Sequence, residues 1–246
     1  MIPKALRPVF EPIRPQYLRL RGRTPKGEER AVEFYRRYIR KDDVVIEVGA
    51  NVGGATLLLS DLASYVYALE PVPSTFRYLR AFTAKKKNVK IYNLGASDER
   101  AKIRMHVAKN PEVNSRFRIK NQRYERTVPA TLVRLDSIHY APKPTCIVMD
   151  CEGSEVDALK GASGLFDSES IRCILVETHL FSDGSSTLEN VIALVRGHKL
   201  EFEIEEDSNR MLWVLAHIKE DNEVAKRPSS ADPALSDIRL ETKGSM

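Results

Sequence analysis

Apolar positions along this 246-residue chain keep two rhythms that alternate. Short runs with little polar interruption, as expected of parallel strands buried on both faces, occur at 44–48, 65–69, 89–94, 145–149 and 171–176. Between them, apolar residues recur at helical spacing: Val32, Tyr35 and Ile39 within 28–40, then Leu57, Leu58, Leu59 and Leu62. Phe76, Leu79 and Phe82 follow a Ser74 cap, and Leu188, Val191, Ile192 and Val195 precede a Gly197 stop. Ser154 with Asp157 reads as a capping box opening the segment SEVDALKGA. Two alternating segments, 200–204 and 211–217, close the pattern as a hairpin around Ser208 and Asn209. Strands that alternate with helices predict an α/β fold, a doubly wound and mostly parallel sheet, with the closing hairpin making one strand antiparallel.

One segment breaks the alternation. In 101–135, Ile103, Met105 and Val107 alternate as in a strand, a polar basic stretch follows, and TVPATLVRL reads as a return strand that Pro129 weakens or places on an edge. This is a hairpin-like insertion with a long tip, and such loops often carry function. The domain plan is therefore a basic leader and N-terminal helix (1–42), a main domain (43–218) containing the insertion, and a polar tail (219–246) expected to be disordered.

Charge is unevenly placed. The net charge is +5, yet residues 1–40 hold eleven Lys and Arg against four Glu, and 98–126 hold nine against four acids. Two basic segments could meet an acidic substrate, RNA or a membrane surface, or form an ordinary solvated surface. No apolar run approaches the roughly 18 residues of a membrane span, and the N-terminus, interrupted by Pro3, Pro8, Pro12 and Pro15, has no signal-peptide core. A cytoplasmic protein is expected. Cys146, Cys151 and Cys173 offer no Cys-x-x-Cys, and the first and last lie in apolar runs, so buried thiols are expected rather than disulfides or zinc.

The chemistry concentrates in VVIEVGANVGGATLLLS (44–60): strand, glycine turn, helix. The glycines let a ligand approach the backbone, and the helix start presents free N–H groups to an anion. The dinucleotide fingerprint Gly-x-Gly-x-x-Gly is absent. Instead Glu47 precedes Gly49 and Gly53, and an acid beside a helix N-terminus suits a zwitterion. Acids recur at the later strand ends: Glu70, Asp98, Asp150 with Glu152, and Glu177 near His179. Glu70 ends the neighbouring strand, where an acid can accept both hydroxyls of a ribose. Ser97 and Asp98 would lie near an adenine. An adenosine with a zwitterionic tail describes S-adenosylmethionine.

These segments resemble a known family. VVIEVGANVGG, YALEPVPSTFRYL, NLGASDE, TLVRLDSI, VMDCEGSEVDALKGA and ILVETH follow one another as in FkbM-type methyltransferases, over about residues 43–180. The resemblance implies the class I (Rossmann-like) methyltransferase fold, with seven strands and an antiparallel last strand. It also implies methyl transfer from S-adenosylmethionine, usually to an oxygen of sugars, natural products or lipid-like molecules. By motif, Glu47, Gly49, Asn51 and Gly53 form the methionine-end site, Glu70 is the ribose ligand, and Ser97–Asp98 neighbours the adenine. Departures are Glu47 where Asp is commoner, and Met149 and Cys151 where Ile and Val are commoner.

For the chemistry, His179 is the expected general base, because its reference pKa is near neutral, with Asp150 and Glu177 orienting it. In the alternative, Asp150, Glu152 and Glu177 hold Mg²⁺; the main expectation is no metal. The expected acceptor is a small-molecule or glycan hydroxyl, anionic if Arg116, Arg118, Lys120 and Arg123 border its pocket. An RNA methyltransferase and a non-catalytic nucleotide-binding module are the rivals. Nucleic acid is disfavoured because no Asn-Pro-Pro-Tyr-type motif is present.

Overall fold

The computed structural model describes residues 29–108, 114–117, 123–168, 170–179, 181, 185–198, 200–206 and 212–217. The basic leader, Arg118 and Lys120 of the insertion tip, Ser208, Asn209 and the polar tail lie outside the described residues. The first apolar run is strand β1 (Val44–Val48), buried at all five positions. After it come α2 (Gly54–Leu62), β2 (Tyr65–Leu69), α3 (Pro73–Thr83) and β3 (Val89–Tyr92), with α1 (Glu29–Tyr38) before them. Strands β4 (Gly95–Ala96), β5 (Ala101–Ala108) and β6 (Tyr124–Val133) precede β7 (Cys146–Met149). The chain continues through α4 (Glu155–Lys160), α5 (Ser163–Asp167), β8 (Cys173–Thr178), α6 (Leu188–Gly197), β9 (Glu201–Glu206) and β10 (Leu212–His217).

Seven strands form one sheet in the order β3-β2-β1-β7-β8-β10-β9. Strands β1, β2, β3, β7 and β8 pair in parallel, and β10 runs antiparallel to both β8 and β9. The chain builds outward from β1 in one direction, then returns and builds from β7 in the other. At that reversal the connecting segments leave on opposite sides, and a crevice opens over the strand carboxyl ends. A sheet buried on both faces needs two cores. Phe34, Tyr35, Leu59, Leu79 and Trp213 cluster with one face; Leu159, Ala162, Val191 and Val195 cluster with the other.

The expected hairpin insertion is a small sheet of its own, in the order β4-β6-β5. The third strand of the main sheet therefore stops at Tyr92, short of the expected Leu94. Asn93 bonds the carbonyls of Glu70 and Pro71, and Gly95–Ala96 pair instead with Leu132–Val133 of β6. Because β4 is only two residues long, Pro129 sits where β6 is paired on one side, with Arg104 of β5. That is how a strand tolerates the missing N–H. The Ser74 cap is not used: α3 begins at Pro73, after Val72, whose N–H goes to Glu70. Among the described residues, no helix is long and apolar enough to cross a membrane.

Candidate active site

The turn after β1 is forced by a close crossing of backbones. Gly49 has φ 91°, and a Cβ there would lie 1.8 Å from the Asp150 carbonyl oxygen. So no other residue fits where the ends of β1 and β7 meet. Gly53 also has a positive φ, but its hydrogen faces Leu79 of α3, so it serves helix packing. Between them Asn51 has φ 50°, and its N–H donates to Glu70 Oε2 at 3.0 Å. Val72 N–H donates to Oε1 of the same carboxylate at 2.8 Å. Glu70 is thus clamped, one oxygen by each loop. Burial raises its pKa to about 7, against the opposing effect of those two N–H bonds.

Above the strand ends lies a cleft open to solvent. Val48, Gly49 and Asn51 line it from β1, Glu70, Pro71 and Val72 from β2, and Asp150, Cys151, Glu152 and Ser154 from β7. The small sheet roofs it with Gly95, Ala96, Met105 and Leu132, and Asn114 and Arg116 close one side. Of the expected donor-site residues, Gly49, Asn51 and Glu70 are on this wall, and Glu47, Gly53, Ser97 and Asp98 are not. Glu47 is buried beneath the turn, accepting from Thr56 Oγ1 at 2.6 Å, and burial pushes its pKa up to about 8. Ser97 and Asp98 lie one step beyond Gly95 and Ala96. The Ser97 carbonyl packs on Gly161, and Arg134 takes the Asp98 carbonyl.

On the β7 side the structure changes the expected partnerships. The His179 ring is 12% exposed, and three carboxylates face it. Nδ1 lies 3.0 Å from Glu155 Oε1; Nε2 lies 3.6 Å from Glu152 Oε2 and 3.8 Å from Asp150 Oδ1. At 3.0 Å, Nδ1 is within hydrogen-bond distance of Oε1, with the ring N–H off the line between them. Burial alone would lower the His179 pKa, but Glu155, with Asp150 and Glu152 behind it, outweighs burial and raises it to about 10. That direction runs against the neutral imidazole expected of a general base. Glu177 does not orient it. By strand alternation Glu177 shares the face of Cys173 and Leu175, the side of Tyr35, whose buried hydroxyl is raised well above its usual pKa by burial and by Asp150, Glu47 and Glu177.

Glu155 is the site residue that the sequence pattern concealed. It sits on the buried stripe of α4 with Ala158 and Leu159, and a charge on an apolar stripe was the available signal. Its carboxylate accepts from Gly153 N–H at 3.0 Å and lies 3.5 Å from Cys151 Sγ. Burial and these acids hold the Cys151 thiol well above its ordinary pKa, unsuited to nucleophilic work. The expected capping box is not formed. Ser154 makes no side-chain cap, and the Asp157 carboxylate is engaged by Arg116 Nη1 at 2.7 Å instead of reaching back to Ser154. Arg116 stacks over Phe117, which meets Phe181 edge-on. Arg123 is not on the cleft wall. Asp150, Glu152 and His179 together place one donor atom each within 4.8 Å of one another, the described group able to hold a cation.

Residues 47–204 match the family model described as the methyltransferase FkbM domain. The chain belongs to that family. It is accordingly an S-adenosylmethionine-dependent methyltransferase. This FkbM enzyme is 27% identical over 192 residues to the hexuronic acid methyltransferase AglP of Haloferax volcanii, covering 75% of this chain and 74% of that one. Its fold is similar to that of the FkbM methyltransferase of Methylobacillus flagellatus KT, with TM-score 0.50, 15% identity, and coverage of 85% of this chain and 60% of that one. A putative rRNA methylase of Clostridium thermocellum matches at TM-score 0.50 and 11% identity, covering 80% and 98%. These likenesses show the fold alone, and the acceptor has to be argued from the site.

Proposed function

We propose that this FkbM-family enzyme transfers the methyl group of S-adenosylmethionine to a hydroxyl oxygen of a sugar or sugar-like acceptor that carries a carboxylate. The observation that carries the reading is Arg116 on the wall of the same cleft as Glu70 and Asp150. Asp157 takes one end of its guanidinium, and the fork has further donors suited to a carboxylate. The hexuronic acid relative supports an acceptor of this kind. In strand order β2-β1-β7, Glu70 and Asp150 flank β1. The adenosine then belongs at Glu70, between Val72, Gly95, Ala96 and the roof, with its ribose hydroxyls donating to the clamped carboxylate. The methionine end lies over Gly49 and Asn51, and the acceptor lies at Asp150, Glu152 and Arg116.

In the reaction the C–S bond breaks as the O–C bond forms, sulfur keeps the electron pair, and the hydroxyl proton must leave. The site contributes chiefly by alignment. On this reading His179 is not the base, because the carboxylates around it raise its pKa in the metal-free site. Asp150, with a half-exposed side chain, receives the hydroxyl's hydrogen bond.

The test is methylation, followed by mass spectrometry, of matched uronosides and neutral glycosides with labelled donor. Preference for the uronoside is expected, with Arg116→Ala raising KM for it about 10- to 100-fold, the loss of a charge-assisted bond. S-adenosylhomocysteine affinity should stay unchanged. Equal use of the neutral glycoside, or an unchanged KM in the variant, overturns the acceptor assignment.

A further inference from the structure

We infer that Asp150, Glu152 and His179 form a divalent-cation site of the Mn²⁺ or Mg²⁺ type at the cleft floor, with Glu155 as the outer carboxylate that orients the imidazole. The geometry comes first. His179 Nε2 stands 3.6 Å from Glu152 Oε2 and 3.8 Å from Asp150 Oδ1, too far for hydrogen bonds. Two donors that share one ion at about 2.1–2.2 Å from it lie roughly 3–4 Å apart. Two carboxylate oxygens and one imidazole nitrogen are a donor set that Mn²⁺ accepts, and they approach from two elements, the loop after β7 and the end of β8.

A second observation stands outside that triad. Glu155 is 0% exposed. Its Oε1 meets Gly153, Cys151 and the far nitrogen of His179, and its Oε2 has no hydrogen-bond partner among the described residues. Burying a carboxylate with one oxygen unanswered is costly. A carboxylate on the far nitrogen of a metal-binding histidine is the usual outer partner of such a ligand: it fixes the tautomer and raises ring basicity. Here the same carboxylate also lies under the turn that carries Glu152, so one buried group orders both ligands.

Asp150 and Glu152 both line the cleft. Three protein ligands leave coordination positions open toward it. The role of the ion rests on the acceptor reading above; its existence does not. There the ion would take the acceptor hydroxyl oxygen, and a metal-bound hydroxyl gives up its proton to bulk water more readily. The oxygen then attacks the methyl carbon, and sulfur leaves with the bonding pair. With the ion bound, His179 ligates through Nε2 as a neutral imidazole, and any proton that nitrogen held without the ion is released. The cation set differs from the one read from the sequence: His179 replaces Glu177, which faces the other side of the sheet.

The experiment is Mn²⁺ titration of the chelator-stripped, full-length protein, read as loss of the free-ion resonance signal. Binding of S-adenosylhomocysteine by calorimetry is run in parallel. One Mn²⁺ per chain is expected, displaced by excess Mg²⁺. Glu152→Gln should weaken it at least tenfold and Glu155→Gln by about 10- to 100-fold, both with S-adenosylhomocysteine affinity kept. Absence of stoichiometric Mn²⁺ binding by the wild-type protein overturns the site. So does equal Mn²⁺ affinity in Glu152→Gln, a change at a partly exposed side chain that puts folding least at risk. Wild-type protein that binds Mn²⁺ but not S-adenosylhomocysteine would instead contradict the donor assignment.

Discussion

Glu47→Gln isolates one buried carboxylate. Glu47 is 3% exposed on a central strand, and its carboxylate accepts from the Thr56 hydroxyl. Its pKa in the folded chain is about 8, against about 4.3 for a free glutamate. Between those values the folded state keeps a proton that the unfolded chain has released. Stability therefore falls as pH rises, by about 1.4 kcal/mol per pH unit. The full effect is on the order of 4–5 kcal/mol, reached above pH 8 and absent below pH 4. Glutamine preserves the carbonyl that accepts from Thr56 and removes the titration. Urea unfolding of ligand-free wild-type and Glu47→Gln protein from pH 5 to 8.5 measures the difference directly. The variant should be close to wild type at pH 5 and more stable by several kcal/mol at pH 8.5, with the gap opening steadily between. A constant gap would refute the buried, protonated carboxylate. Because Glu47 is not on the cleft wall, S-adenosylhomocysteine affinity should change little. A loss of tenfold or more would restore Glu47 as a direct ligand of the methionine end.

Glu70→Ala should cost on the order of 2–3 kcal/mol of donor affinity by calorimetry, since a charged acceptor for two hydroxyls is lost. Wild-type affinity should also fall as pH drops through about 7, because protonating Glu70 removes one acceptor face; pH-independent binding would count against the ribose assignment. At the opposite edge of the sheet, Asp43 is buried and accepts from Arg172, Thr145 and the Arg40 N–H. Burial would raise its pKa, but Arg172 and these donors overcome that and lower it, so its contribution is present at neutral pH and lost in acid as Asp43 protonates. Asp43→Ala should destabilise by about 3 kcal/mol, the cost of leaving the partly buried Arg172 without its carboxylate, with donor affinity unchanged in calorimetry of the folded variant.

Much of the scaffold was written in one dimension. The apolar run at 65–69 is strand β2 residue for residue, because a strand buried on both faces leaves no room for a polar side chain. The placement of Glu70 followed from the same logic: a strand must end where its polar residue begins, and parallel strands end together at one edge. Helices α2 and α6 were legible from apolar spacing, and the antiparallel strand from the closing hairpin.

What the sequence could not decide were matters of facing and competition between partners. Glu177 and His179 are two residues apart, yet the strand stops at Thr178 and the His179 N–H turns to Thr187. The two side chains then serve opposite faces. Asp157 had the spacing of a capping residue, but a guanidinium from a distant segment took it. Gly95 and Ala96 left the main sheet because β6, some thirty-five residues later, offered them a partner. The charge felt by His179, at the end of β8, is set by three carboxylates from the loop after β7 and the helix that follows it, a meeting of distant segments to which local sequence is blind. Periodicity fixes which residues are buried and where elements end. Which buried groups meet, and so which of them carry charge, is decided by packing between segments far apart in the chain.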